Sequence, residues 1–199
     1  MNLQGTIGDV QRILGVTVDG IAGPETWAAI REKLVPKAAQ YRTSETTLVG
    51  DTVDERSESN IATLNVVVRP YARALVHTAA AHGIEIRIIG GTRTYAEQDA
   101  LFAKKPPVTR ARGGYSNHNF GIAFDIGIFK GAKYLAESPL YKVCGSIGMS
   151  LGLEWGGNWK TFVDEPHFEL RPEWAKTMSE SAMLAELRDR HARGIDAFA

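Results

Sequence analysis

The chain has 199 residues, 44% hydrophobic and 23% charged, which suits one good-sized globular domain or one domain with a small appendage. Its 23 basic and 23 acidic residues cancel to a formal net charge of zero, which removes the electrostatic case for nucleic acid or an anionic membrane surface as partner. A single cysteine, Cys144, excludes an intrachain disulfide, and its apolar setting between Leu140 and Leu151 reads as a small buried hydrophobe rather than a catalytic thiol.

The N-terminus, Met1-Asn2-Leu3-Gln4-Gly5, lacks the basic start and long apolar run of a signal peptide, and no apolar stretch is long enough to span a bilayer. The expectation is a chain made in the cytoplasm, without membrane insertion, as a monomer. Residues 1–35 read as a small helical unit. Ile7, Val10, Gln11 and Leu14 suit a short helix, Val18 to Pro24 a turn-rich connector, and Pro24 the first position of a second helix with Trp27, Ile30 and Leu34 on one face. So small a unit has little core of its own. Residues 36–58, rich in Thr, Ser, Glu and Asp, read as a linker, and residues 59–199 as the main domain.

Within that domain Pro70 opens a helix whose inner positions are Ala72, Leu75, Val76, Ala79 and Ala80, and Gly83 ends it. Ile84, Ile86 and Ile88 alternate with Glu85 and Arg87 as in a half-buried strand. Thr94 and Glu97 have the spacing of a capping box, with a helix running through Leu101. Residues 122–128 read as a second strand, Ser138-Pro139 starts a helix ending near Gly152, and Leu153–Trp155 and His167–Leu170 read as short strands. The tail from Pro172 reads as helical with a solvated charged face. Helices set against a small antiparallel sheet make the expected fold class α+β.

The chemistry concentrates in two stretches, Ser116-Asn117-His118-Asn119-Phe120-Gly121-Ile122-Ala123-Phe124-Asp125 and Asp164-Glu165-Pro166-His167-Phe168-Glu169. Two imidazoles and a carboxylate suit zinc, which takes nitrogen and oxygen ligands and keeps a fourth position for water in catalytic sites. His118 and Asp125 are seven residues apart, and an odd separation on a straight strand puts side chains on opposite faces. The two converge only if the chain bends between them, and Gly121 permits a bend. His167 would then come from a neighbouring strand. His77, His82 and His191 read as solvated or locally satisfied.

The pattern Ser-x-His-x-x-Gly-x-Ala-x-Asp at 116–125, followed by Asp-x-x-His at 164–167, resembles the D-Ala-D-Ala carboxypeptidase family of zinc peptidases, which includes the L-alanyl-D-glutamate endopeptidases of phage endolysins. The likeness covers about residues 59–175, and the His-Glu-x-x-His helix of other zinc proteases is absent. The resemblance implies zinc held by His118, Asp125 and His167. It implies Asp164 as general base, since the family's acid lies three residues before the last His; Glu165 does not match that spacing. Gly91-Thr92-Arg93-Thr94-Tyr95 resembles the family's upstream motif, with Arg93 as the substrate-facing arginine, and Ser116 matches a position near the substrate. Trp155, Trp159 and Phe162 are candidates either for the cleft wall or for the core.

Val18-Asp19-Gly20-Ile21-Ala22-Gly23-Pro24-Glu25-Thr26-Trp27 resembles part of the peptidoglycan-binding domain of lytic enzymes, although that module normally carries a further helix. Taken together, these resemblances imply a phage-type endolysin acting on bacterial peptidoglycan. It would be made in the host cytoplasm and cleave stem peptides after release to the wall. A D-Ala-D-Ala carboxypeptidase and a non-catalytic wall-binding virion protein are the alternatives.

Overall fold

The computed structural model describes residues 3–21, 25, 26, 29, 52–106 and 108–199. They fall into two compact units, one within Met1–Glu45 and one within Thr46–Ala199. In the first, helix α1 spans Leu3–Leu14. The Gln11 side chain, 1% exposed, ties α1 to the connector. Its amide nitrogen shares two N–H hydrogens among three acceptors in reach, Asp19 Oδ1, Ile21 O and Thr26 Oγ1, and its oxygen accepts the backbone N–H groups of Asp19 and Gly20. One buried amide therefore organises a turn that apolar contacts alone would not hold. Glu25, Thr26 and Ala29 are helical, whereas Pro24, Trp27, Ile30 and Leu34 lie outside the described residues, as do residues 36–51 of the expected linker.

Regular structure in the second unit starts inside the stretch read as linker. Helix α2 spans Glu55–Ile61, because Asp54 accepts the Ser57 N–H as N-cap and Glu55 and Glu58 sit in the first turn. Helix α3, Arg69–Ala81, carries Pro70 in its first turn and buries Ala72, Leu75 and Ala79, while Ala80 faces out. Strand β1, Glu85–Gly90, buries Ile86 and Ile88, as the alternation requires. Helix α4, Tyr95–Phe102, opens on a complete Thr94–Glu97 capping box. Strand β2 covers Ala123–Lys130, and β3, Lys133–Leu135, pairs with its end. Then come helix α5 at Leu140–Leu151, strands β4 at Glu154–Trp155 and β5 at His167–Glu169, and helix α6 at Glu180–Ala192.

The sheet runs β1-β2-β5-β4 with every pair antiparallel, which is the expected α+β class. Phe124, Ile126 and Ile128 point from β2 into the main core with Ile61, Leu75, Ile88, Tyr141, Cys144 and Phe168. Burial pushes the Cys144 thiol up to about 11, as befits an inert hydrophobe. By strand alternation Asp125 lies on the opposite face. A second cluster packs Phe120 and Ile122 against Met183, Leu184 and Leu187 of α6. The tail is thus solvated on one face and anchored on the other. No helix among the described residues is long and apolar enough to cross a membrane.

Candidate metal centre

His118 sits in a 3-10 turn, Asn117–Phe120, with all four residues buried, and the turn ends on Gly121 in the left-handed region at φ 68°. The bend expected at Gly121 is therefore present, and a Cβ there would stand 2.9 Å from the Asn65 backbone nitrogen. Its left-handed φ and the close Asn65 backbone both call for glycine. Asp125 lies two residues into β2. His167 opens β5 directly opposite it, so the two are paired across the antiparallel ladder and share a face.

His118, Asp125 and His167 converge. His118 Nε2 is 3.2 Å from His167 Nδ1 and 3.3 Å from Asp125 Oδ1, which is 3.4 Å from His167 Nδ1. Zinc bonds near 2 Å at a tetrahedral angle place ligand atoms about 3.3 Å apart. The triangle matches that, and the nitrogen and oxygen donors are the right types, so the residues fit a divalent metal. The other ring nitrogens are committed: His118 Nδ1 faces Gly91 O at 2.8 Å, and His167 Nε2 faces Glu169 Oε2 at 3.0 Å. Each hydrogen bond directs the opposite nitrogen's lone pair into the triangle.

Electrostatics without a metal are those of a cluster short of positive charge. Burial alone would raise Asp125, but the two imidazoles hold it well below the ordinary carboxylate range. Burial disfavours a charged His167, yet hydrogen bonds with Asp125 and Glu169 outweigh it and hold its pKa up to about 10.

Arg93 donates from one terminal nitrogen to Asp125 Oδ2 at 2.5 Å, so it braces a carboxylate of the triangle and does not stand alone over the cleft. Gly90 makes room for this pair, since a Cβ there would lie 2.8 Å from Asp125 Oδ2. The Arg93 backbone N–H reaches His118 O at 3.0 Å, tying the two motifs together. Ser116 precedes the 3-10 turn, half-buried, and its side chain does not cap that turn.

Asp164 and His167 close a turn in which the His167 N–H donates to Asp164 O at 3.2 Å. Burial, followed by the charge of Asp125, raises Asp164, while His167, His118 and Arg93 oppose the shift. Its carboxyl therefore feels all four neighbouring groups. Glu165 occupies the turn itself, and its carbonyl accepts the Trp155 indole N–H at 2.7 Å. Trp155 is buried in the core, whereas the Trp159 ring lies 4.8 Å from the His167 ring and walls the site. Phe162 is 40% exposed beneath the Arg110 guanidinium. His77 and His82 are exposed, and His191, also exposed, lies against Tyr95 and Phe120.

Sequence reasoning passed over Glu169 and Asn117. Glu169 is 2% exposed, accepts from His167, and takes the Asn117 Nδ2 donor at 2.6 Å. The available signal was its position two residues after His167 on a strand, hence on the same face.

The sequence pattern of the D-alanyl-D-alanine carboxypeptidase family matches residues 109–170. The chain is 38% identical over 125 residues to the peptidoglycan L-alanyl-D-glutamate endopeptidase CwlK of Bacillus subtilis, covering 55% of this chain and 74% of that protein. It is 32% identical over 117 residues to the L-alanyl-D-glutamate peptidase of Listeria phage A118, covering 57% of this chain and 40% of that one. The crystal structure of the Serratia marcescens L-Ala D-Glu endopeptidase ChiX aligns with a TM-score of 0.49 and 23% identity, over 64% of this chain and 95% of that one. With the relation to CwlK extending over most of that protein, the chain belongs to the D-alanyl-D-alanine carboxypeptidase family and is a metallopeptidase.

Proposed function

We propose that the chain is a zinc-dependent peptidoglycan endopeptidase of the endolysin type that hydrolyses the L-alanyl-D-glutamate bond of the stem peptide. The observation that carries this is the triangle of His118 Nε2, Asp125 Oδ1 and His167 Nδ1, with the Asp164 carboxyl within electrostatic reach of all three residues, in a chain related to two peptidases of that specificity. His118, Asp125 and His167 would hold the metal. Bound there, zinc supplies Lewis acidity and lowers the pKa of a coordinated water to about 7.

Asp164 is the base that takes the proton from the attacking water and, once protonated, gives it to the leaving amine. Its turn keeps the carboxyl half-buried among the site charges, which lifts its proton affinity toward what a base needs. Arg93 holds the Asp125 carboxylate in orientation through its hydrogen bond to Oδ2. With Asp125 taking one of its five N–H donors, the fork retains donors for the substrate carbonyl as negative charge develops on its oxygen. Trp159 closes one side of the cleft against water, and Ser116 lies at the mouth of the His118 turn, near where the substrate runs.

The phage relative supports an enzyme made in the infected cell and released to the wall at lysis, and the resemblance of Val18–Trp27 to part of a peptidoglycan-binding domain supports a role for the first unit in holding the wall. Mass spectrometry of digested, purified peptidoglycan tests the assignment. New amino termini on D-glutamate are expected. Loss of terminal D-alanine alone would instead make the enzyme a carboxypeptidase.

A further inference from the structure

Asn117 stands immediately before His118 and is 6% exposed. Its Nδ2 donates to Glu169 Oε2 at 2.6 Å and to Glu180 Oε1 at 2.8 Å. A primary amide has two N–H hydrogens, and here each serves a different carboxylate. Its oxygen, Oδ1, is buried with no hydrogen-bond partner among the described residues. Turning the amide over would set that oxygen against two carboxylates, so the charges on either side fix its orientation and leave the carbonyl unsatisfied. Buried orphans of this kind are uncommon and call for a reason.

The reason lies one step further on. The Glu169 oxygen that takes the Asn117 donor is the same Oε2 that faces His167 Nε2 at 3.0 Å. Glu180 is the first residue of α6, and its other oxygen accepts from Arg171 at 2.8 Å. Arg171 also holds Glu154 at the edge of the sheet. A continuous relay therefore runs from α6 through Asn117 and Glu169 to the imidazole of His167. In the neutral imidazole that a metal requires, a firm acceptor at Nε2 keeps the remaining proton there and leaves Nδ1 bare. Without it, the proton can shift to Nδ1 and occupy the position that faces His118 and Asp125.

We propose that Asn117 is a positioning residue that locks Glu169 against His167 Nε2 so that Nδ1 is presented to the metal, with Glu180 of α6 as its second anchor. The inference rests on the metal-centre reading of His118, Asp125 and His167. It makes the C-terminal helix a working part of the site.

The test uses the full chain and three readouts: zinc dissociation constants by competition with a chromophoric chelator, the visible absorption of the cobalt(II) form, and melting of the metal-free protein. Asn117→Ala is expected to weaken zinc about tenfold or more and to alter the cobalt spectrum. Asn117→Asp, which sets a third carboxylate against the other two, is expected to weaken it further. Glu180→Ala, at a side chain 48% exposed where folding is least at risk, is expected to weaken zinc several-fold in the same direction. Zinc affinity and cobalt spectrum unchanged in both alanine variants, with only the melting temperature lowered, would overturn the proposal. No zinc uptake by the unmodified chain would overturn the metal-centre reading and this inference with it, whereas normal uptake with unaffected variants overturns this inference alone.

Discussion

His167 faces two carboxylates and one imidazole, and this crowding sets its chemistry. With its pKa held up to about 10, the metal-free side chain is protonated at neutral pH. A metal at Nδ1 must displace that proton, so zinc affinity rises with pH, and binding at pH 7 releases about one proton from this residue. Calorimetric zinc titrations in buffers of different ionisation enthalpy should show it, and buffer-independent heats would contradict it. The linkage sign in the metal-free chain follows. The raised pKa contributes stability that is complete below the ordinary histidine value of about 6.5 and fades as pH climbs through about 10. At Asp164 the prediction concerns turnover. Asp164→Asn should keep zinc but lose about 10²–10⁴-fold in rate, because an amide cannot accept the water's proton. Glu165→Gln should be mild, since the placement of Glu165 is defined by its backbone carbonyl on Trp155. Steady-state rates on a muropeptide, with zinc content measured in parallel, decide between them; the reverse ranking would make Glu165 the base.

One junction between elements carries the site, and another ties two helices of the same unit together. Gly121 lets the chain leave the 3-10 turn and enter β2, which is how His118 and Asp125 reach one point. Gly121→Ala should cost about 1–2 kcal/mol from the left-handed backbone alone, and more from the clash with Asn65. Denaturant unfolding measures the loss, and unchanged stability would mean that the turn adapts. The other junction joins α2 to α3, where Arg73 grips both oxygens of Glu58 at 2.8 and 2.7 Å. The Arg73 hydrogen bonds, partly opposed by burial, hold Glu58 below its ordinary range. A depressed carboxylate contributes stability above its unfolded pKa and loses it as pH falls through the folded value. Glu58→Gln should therefore be less stable than wild type by about 1 kcal/mol near pH 7. The gap should close below about pH 4.5, as read from melting curves across that range.

For the whole molecule, the second unit contains every residue placed in the site, together with both apolar clusters. Removing residues 1–45 should leave cleavage of small soluble muropeptides largely intact and weaken binding to whole cell walls. A pull-down on purified walls alongside a soluble-substrate assay separates the two. Equal loss in both would make the first unit a structural part of the peptidase.

Much of this architecture is local and was legible in the sequence. The capping box at Thr94, the alternation of β1, the inner positions Ala72, Leu75 and Ala79 of α3, and the bend at Gly121 each depend on neighbours within a few residues. The residue types at 118, 125 and 167 already implied a metal, because few other uses gather imidazoles and a carboxylate in that pattern. Short elements were not legible. β3 has three residues, too few for a periodicity, and α2 hid in a polar stretch because its start depends on one Asp54 side chain. The inner face of α6 was masked by the charges around Met183, Leu184 and Leu187. Tertiary structure alone decided the register that sets Asp125 opposite His167, the pairing of Arg93 with Asp125, and the relay through Asn117 to Glu169 and Glu180. Each joins residues more than thirty apart in the chain (the separations are 42, 32, 52 and 63). No local pattern encodes such pairs, because their geometry exists only after the sheet has paired and α6 has docked.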